Sequence, residues 1–186
     1  MKLTDVPESK GTFTQFGLNK FKFESFTIGD GQYGRQVTLI FTRPGKEEDK
    51  PFTQMTWYPL VNDVKDYWKL GQLSQFKDVL AVVDENYEEA FEELRASIDF
   101  DENDLDSILK AQEGVITTIL EKVIGQEVNV VLHYKGEYLN IPSFKDNKYQ
   151  LTFGKNPIVY GGLNQTKAAP VQASAEEPAT TSGSGW

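Results

Sequence analysis

The hydrophobic pattern changes period twice along the chain, and that constrains the fold more than any other feature. Apolar and polar residues alternate up to about residue 60, apolar residues recur at helical spacing from 61 to about 125, and alternation returns after that. Alternation puts every second side chain on one face of a strand, whereas a 3.6-residue recurrence makes a stripe along a helix. The pattern predicts a mainly β chain with a helical insert, an α+β arrangement in which strands on both sides of the insert share a core.

Lys20-Phe21-Lys22-Phe23-Glu24 alternates polar and aromatic residues within a strand that begins at Gly17. The Gly-rich stretch Gly29 to Gly34 reads as a turn. Arg35 to Arg43 forms a second strand with Val37, Leu39 and Phe41 on one face. Pro44-Gly45 and the charged run Lys46 to Lys50 turn the chain again. Phe52 to Tyr58 forms a third strand, closed by Pro59. Short connections make this an antiparallel meander. In the insert, Val64, Tyr67, Trp68 and Leu70 fit one helix face, and Phe76, Val79, Leu80 and Val83 another. Tyr87, Phe91 and Leu94 continue the pattern. Asp101 to Asp104 supplies a cap and first-turn acids before Leu105, Ile108 and Leu109. A last helix is expected over Val115 to Val123, with Gly125 just beyond its end. Glu127 to Lys135 and Glu137 to Ile141 read as a strand pair around Gly136, and Lys148 to Phe153 as one more short strand.

Five or six short antiparallel strands suffice for a small barrel, and an OB-fold places a helical segment after the third strand. The expected architecture is an OB-like small barrel with a helical block of about 61–125 between strands three and four. Periodicity does not fix closure, so an open mixed sheet is the alternative. Residues 1–163 form one domain of ordinary size, with the first ten as an unpaired leader. Residues 164–186 are Ala, Pro, Ser, Thr and Gly in the main; such a composition cannot bury a core and predicts a flexible tail ending in Trp186.

The net charge of −9 is unevenly spread. Residues 1–60 carry 8 basic and 7 acidic side chains, residues 61–125 carry 6 and 16, and residues 126–175 carry 5 and 3. The acidity therefore lies in the insert, and both strand-forming segments are mildly basic. Binding responds to the local potential at the contact, so an acidic total does not exclude a polyanion partner.

The sequence has no cysteine and one histidine, His133. That excludes disulfide scaffolds, zinc–thiolate sites, cysteine nucleophiles and multi-histidine metal clusters. No apolar run approaches the roughly 20 residues of a membrane span. With no signal-peptide pattern at the start, a soluble cytoplasmic protein is expected. An EF-hand loop from Asp99 would need Gly at its sixth position and Glu at its twelfth, where Asp104 and Lys110 stand. The run reads as a helix start instead. Glu88, Glu89, Glu92 and Glu93 read as a solvated helix face. A lone strand histidine is more often structural than catalytic. No catalytic residues, no metal site and no cofactor are expected, and the chain reads as a non-enzyme.

What remains is a set of aromatic residues interleaved with basic ones. Lys20, Lys22, Arg35, Arg43, Lys135, Lys145 and Lys148 are the candidates for phosphate contacts. Trp57, Tyr58, Tyr134, Tyr138 and Phe144 are the candidates for base stacking. Binders of single-stranded nucleic acid combine these two residue types. Aromatic side chains also fill strand cores. Residues 11–60 hold ten of them, more than a five-stranded core takes up together with Val37, Leu39 and Ile40, so some must be exposed. Alternation also requires part of the candidate set to point inward.

With the meander ending in Phe52-Thr53-Gln54-Met55-Thr56-Trp57-Tyr58-Pro59, the returning segment Ile124 to Pro142 and an aromatic last residue, the sequence resembles phage-type single-stranded DNA-binding proteins. The resemblance implies an OB-fold that coats single strands in replication and recombination without sequence preference. It also implies replication or recombination proteins as partners, reached through the tail and its Trp186; the acidic insert, which the family pattern lacks, is a second candidate surface for them. The tail departs from that pattern: its only acids are Glu176 and Glu177. The main alternative is a structural or protein-interaction module, such as a virion or assembly component, that uses the same aromatic surface.

Overall fold

The computed structural model describes residues 16–44, 53–163 and Gln165. The expected leader, the charged turn at 46–50, Phe52, the tail apart from Gln165, and Trp186 lie outside the described residues. The elements are β1 (Gly17–Gly31), β2 (Gly34–Thr42), β3 (Thr53–Pro59), a 3-10 helix (Val64–Gln75), α1 (Phe76–Leu80), α2 (Tyr87–Ala96), α3 (Leu105–Val123), β4 (Glu127–Lys135), β5 (Tyr138–Asn140) and β6 (Phe153–Gly154). The strands form one antiparallel sheet in the order β3-β2-β1-β4-β5, with β6 on β4.

β1 is 15 residues long and serves two partners. Residues 17–22 pair with β4 and residues 22–31 with β2. A bulge between Phe23 and Ser25, just inside the stretch paired with β2, reverses which residues face inward. Phe21 and Phe23 are buried before it, and Phe26 and Ile28 pack on the core after it. The bulge is sealed by the chain leaving α3. Gly125 N–H donates to Phe23 O at 2.7 Å, and Phe23 N–H donates to Gln126 O at 2.9 Å. Gly125, expected just past a helix end, has φ +82° and makes this cross-element bond.

Phe23, Phe41 and Phe153 meet at the centre, with ring centroids 5.1–5.9 Å apart. α3 covers them with Val115, Ile116, Ile119, Leu120 and Val123, all buried. One helix of 19 residues replaces the expected separate start near Leu105 and last helix from Val115. Its cap is Asp104, whose side chain accepts from Asp106 N–H at 3.1 Å.

The first part of the insert is a 3-10 helix because its apolar spacing is three. Val64, Tyr67, Leu70, Leu73 and Phe76 recur at i, i+3, and side chains at that spacing eclipse in a helix of three residues per turn. Trp68 stands one position off this stripe; it and Tyr67 are both exposed and line one groove with Leu70 and Leu73. The strand expected over Lys148 to Phe153 is reduced to Phe153–Gly154. Lys148 and Tyr149 sit at φ +53° and +59°, in a left-handed turn that no strand accommodates.

That turn is organised by Asn147, which is fully buried. Its Nδ2 donates to Ile158 O at 2.9 Å, and its Oδ1 accepts from Tyr160 N–H at 3.0 Å. Asn147→Ala leaves both backbone groups without their partner, so it is expected to lower stability by about 2 kcal/mol. The readout is the urea midpoint at an unchanged slope. An unaltered midpoint would show that the turn does not depend on Asn147.

Candidate nucleic-acid interface

β3 and β5 are the two ends of the hydrogen-bonded path, and no backbone ladder joins them among the described residues. One side chain crosses between them: Gln54 Nε2 donates to Leu139 O at 2.8 Å. A groove of about 720 Å3 follows this seam. Arg43, Met55, Tyr134 and Tyr138 are in its wall. Tyr138 is 73% exposed, and Met55 is exposed as well. Lys135 pairs with Tyr138 in the β4–β5 register and is exposed beside the groove.

The outer face of β3 extends the surface. Residues two apart on a strand share a face, so Met55 and Trp57 point the same way. Their partners on β2 are Ile40 and Thr38. Trp57 is half-buried against Tyr33, with ring centroids 6.0 Å apart and planes at 32°. Tyr33 lies in the β1–β2 turn and is 69% exposed. Neither Tyr33 nor Met55 was among the sequence candidates. The signal for Tyr33 was an aromatic residue at the tip of a glycine-rich turn, where no core contact holds it.

The structure thus gathers Arg43, Trp57, Tyr134, Lys135 and Tyr138, and adds Tyr33 and Met55. It removes two of the stacking candidates. Tyr58 is only 2% exposed, with its ring edge-on to Phe76 at 5.4 Å and to Phe144 at 5.0 Å. Burial pushes its hydroxyl pKa far up. Phe144 is 6% exposed and packs between Tyr58 and Tyr149. Neither ring can meet a base without opening the core.

The remaining basic candidates stand apart from the groove wall. Arg35 Nε donates to Glu113 on α3, and its guanidinium also lies 3.9 Å from Asp30. The Glu113 hydrogen bond, reinforced by its charge, raises the Arg35 pKa. Arg35 joins the sheet to the acidic insert, and a phosphate would have to displace a carboxylate to reach it. Lys22 pairs with Glu24 at 3.1 Å. Thr42 Oγ1 donates to the same Glu24 carboxylate at 2.7 Å, which, with Lys22, holds its pKa below the ordinary value. Lys20 is exposed on the β1–β4 side, in a recess shared with Lys155. Lys145 and Lys148 are exposed on the turn around Asn147, where Lys148 Nζ lies 5.2 Å from the Tyr160 ring centre.

His133 lies on the face of β4 opposite Val130 and Leu132 but is still buried. Burial lowers its pKa, and Asp146 offsets this only in part. The ring is therefore neutral at neutral pH. The four glutamates of α2 are exposed, and Glu92 pairs with Lys77 at 2.8 Å and Arg95 at 3.2 Å. A second, more apolar groove of about 520 Å3 lies in the insert, with Tyr67, Trp68 and Phe100 exposed at it. Among the described residues no helix is long and apolar enough to cross a membrane.

A scan against family models, a search of curated proteins and a search of solved structures return no match to the chain.

Proposed function

We propose that the protein is a sequence-tolerant, non-enzymatic single-stranded DNA-binding protein that acts in DNA replication or recombination on an OB-type barrel. The observation that carries this reading is the aromatic surface running from the β3–β5 groove to the Trp57–Tyr33 pair, with Arg43 and Lys135 beside it. Bases stack on such rings regardless of sequence because every base has a π face, and the cations neutralise phosphates. The strand order β3-β2-β1-β4-β5, the helix α3 between β3 and β4, and the Gln54 bridge across the seam support the barrel. The acidic insert lies between β3 and β4 in the chain and meets the sheet through the Arg35–Glu113 pair, so its charge need not oppose a strand bound in the groove.

Tryptophan fluorescence against oligo-dT at two salt concentrations tests the proposal. Quenching that fades as salt rises is the expected result. Two to four phosphate contacts give a slope of log K against log[salt] of about −1.4 to −2.8. Lys135→Gln is expected to flatten that slope by about 0.7 and to weaken dT, dC and dA oligomers alike. No binding at low salt, by fluorescence or by gel shift, would remove the DNA reading. A protein-interaction module using the same rings would then be sought by pull-down, and its contacts should respond little to salt.

A further inference from the structure

Gln54 holds a polar atom at the seam that the fold itself leaves unused. The residue faces inward, opposite Phe41 in the β2–β3 register, and is 9% exposed, yet it also lines the groove. Its Nε2 donates to Leu139 O, which orients the amide and leaves Oε1 as an acceptor. Among the described residues, Oε1 is the only buried side-chain nitrogen or oxygen without a hydrogen-bond partner. A buried acceptor in that state raises the free energy until a donor reaches it.

Resting on the single-stranded DNA reading, we infer that one base of the bound strand enters the β3–β5 groove and donates an N–H from its Watson–Crick edge to Gln54 Oε1. Leu139 and Ile141, partly buried in the same groove wall, supply the apolar surface for its ring. A volume of about 720 Å3 accommodates a nucleotide. All four bases carry such a donor: the exocyclic amines of cytosine and adenine, N1–H and the amine of guanine, and N3–H of thymine. One acceptor therefore selects for a base without selecting among bases, which suits a sequence-tolerant binder. It also gives the strand one anchored position, whereas stacking alone lets it slide.

The test compares oligo-dT with an oligomer of 3-methylthymidine, which keeps the phosphates and rings and lacks the only N–H of thymine. The intact chain is expected to bind oligo-dT about 5- to 10-fold more tightly, the worth of one hydrogen bond. Gln54→Leu, checked by its melting curve, is expected to bind the two within about twofold of each other. An oligomer of difluorotoluene deoxyriboside, matched in shape to thymine with C–H in place of N3–H, repeats the wild-type comparison without added bulk. Equal wild-type affinities for all three oligomers would overturn the subsite while the DNA-binding reading stands. A preference for dT that survives in Gln54→Leu would assign the effect to the methyl group and also overturn it. If oligo-dT itself does not bind, both readings fall. The wild-type comparisons decide the matter even where Gln54→Leu does not fold.

Discussion

Replacing Trp57 and Tyr138 together by alanine is expected to weaken oligo-dT binding by about 100-fold. Each ring–base stack contributes roughly 1–3 kcal/mol, and the two side chains belong to different strands at the same surface. Both rings present area to solvent, so their removal should leave the melting temperature close to wild type. Trp57→Phe with Tyr138→Phe, which keeps a π face at both positions, should retain most of the affinity. Anisotropy of a labelled oligomer gives the readout without relying on the deleted tryptophan. Tyr58→Ala makes the opposite prediction. Tyr58 sits edge-on to Phe76 and Phe144 inside the core, so its loss should lower stability by about 3 kcal/mol rather than act on DNA directly. If the double alanine variant binds as tightly as wild type, the aromatic surface is not where DNA stacks.

Gly154→Ala should be the most damaging single methyl addition in the described fold, with a loss of about 3 kcal/mol and a fall in melting temperature of about 6–12 °C. Gly154 has φ +153°, which side chains rarely adopt. A Cβ there would lie 2.2 Å from Asp78 Oδ2 and 3.3 Å from the Asp78 backbone carbon. Asp78 cannot simply swing away. Both its carboxylate oxygens accept from Asn156 N–H, at 3.0 and 2.9 Å, and its carbonyl accepts from Lys155 N–H at 3.1 Å. Burial raises the Asp78 pKa in spite of these donors, so the carboxylate is already held at some cost. The added methyl would separate α1 from β6 and break this lock. Gly161→Ala is the control: a Cβ at Gly161 meets nothing within 4 Å, and melting should move little. A Gly154→Ala protein that melts with the wild type would show that α1 and β6 can part freely.

The order of elements was legible because it rests on local spacing. Period-2 runs became β1 to β4, the acids before Leu105 became the cap of α3, and the glutamates of α2 stayed on its solvated side. Even the 3-10 helix was present as a three-residue repeat, which a 3.6-residue template reads as an ordinary helix face. The candidate site was legible as a set of residue types and only in part as positions. Alternation states that Trp57 and Tyr58 face opposite ways, but it does not state which of them faces out. That choice needs the phase of β3 against β2, and the phase is set by pairing Trp57 with Thr38 and Tyr58 with Val37.

The sequence alone therefore determined the β–α–β succession, the acidic character of the insert and the excess of aromatic residues over what the core takes up. All three follow from neighbours within a few residues of one another. Only the tertiary structure decided that Tyr58 and Phe144 are core, that Arg35 is held by Glu113 across 78 positions, that Gly154 passes against Asp78, and that Arg43, Tyr138 and Gln54 share one groove. These depend on strand register, on the parity reversal at the Phe23–Ser25 bulge and on contacts between segments far apart in the chain. Such terms are set by the packing of the whole chain, and no local window of sequence contains them.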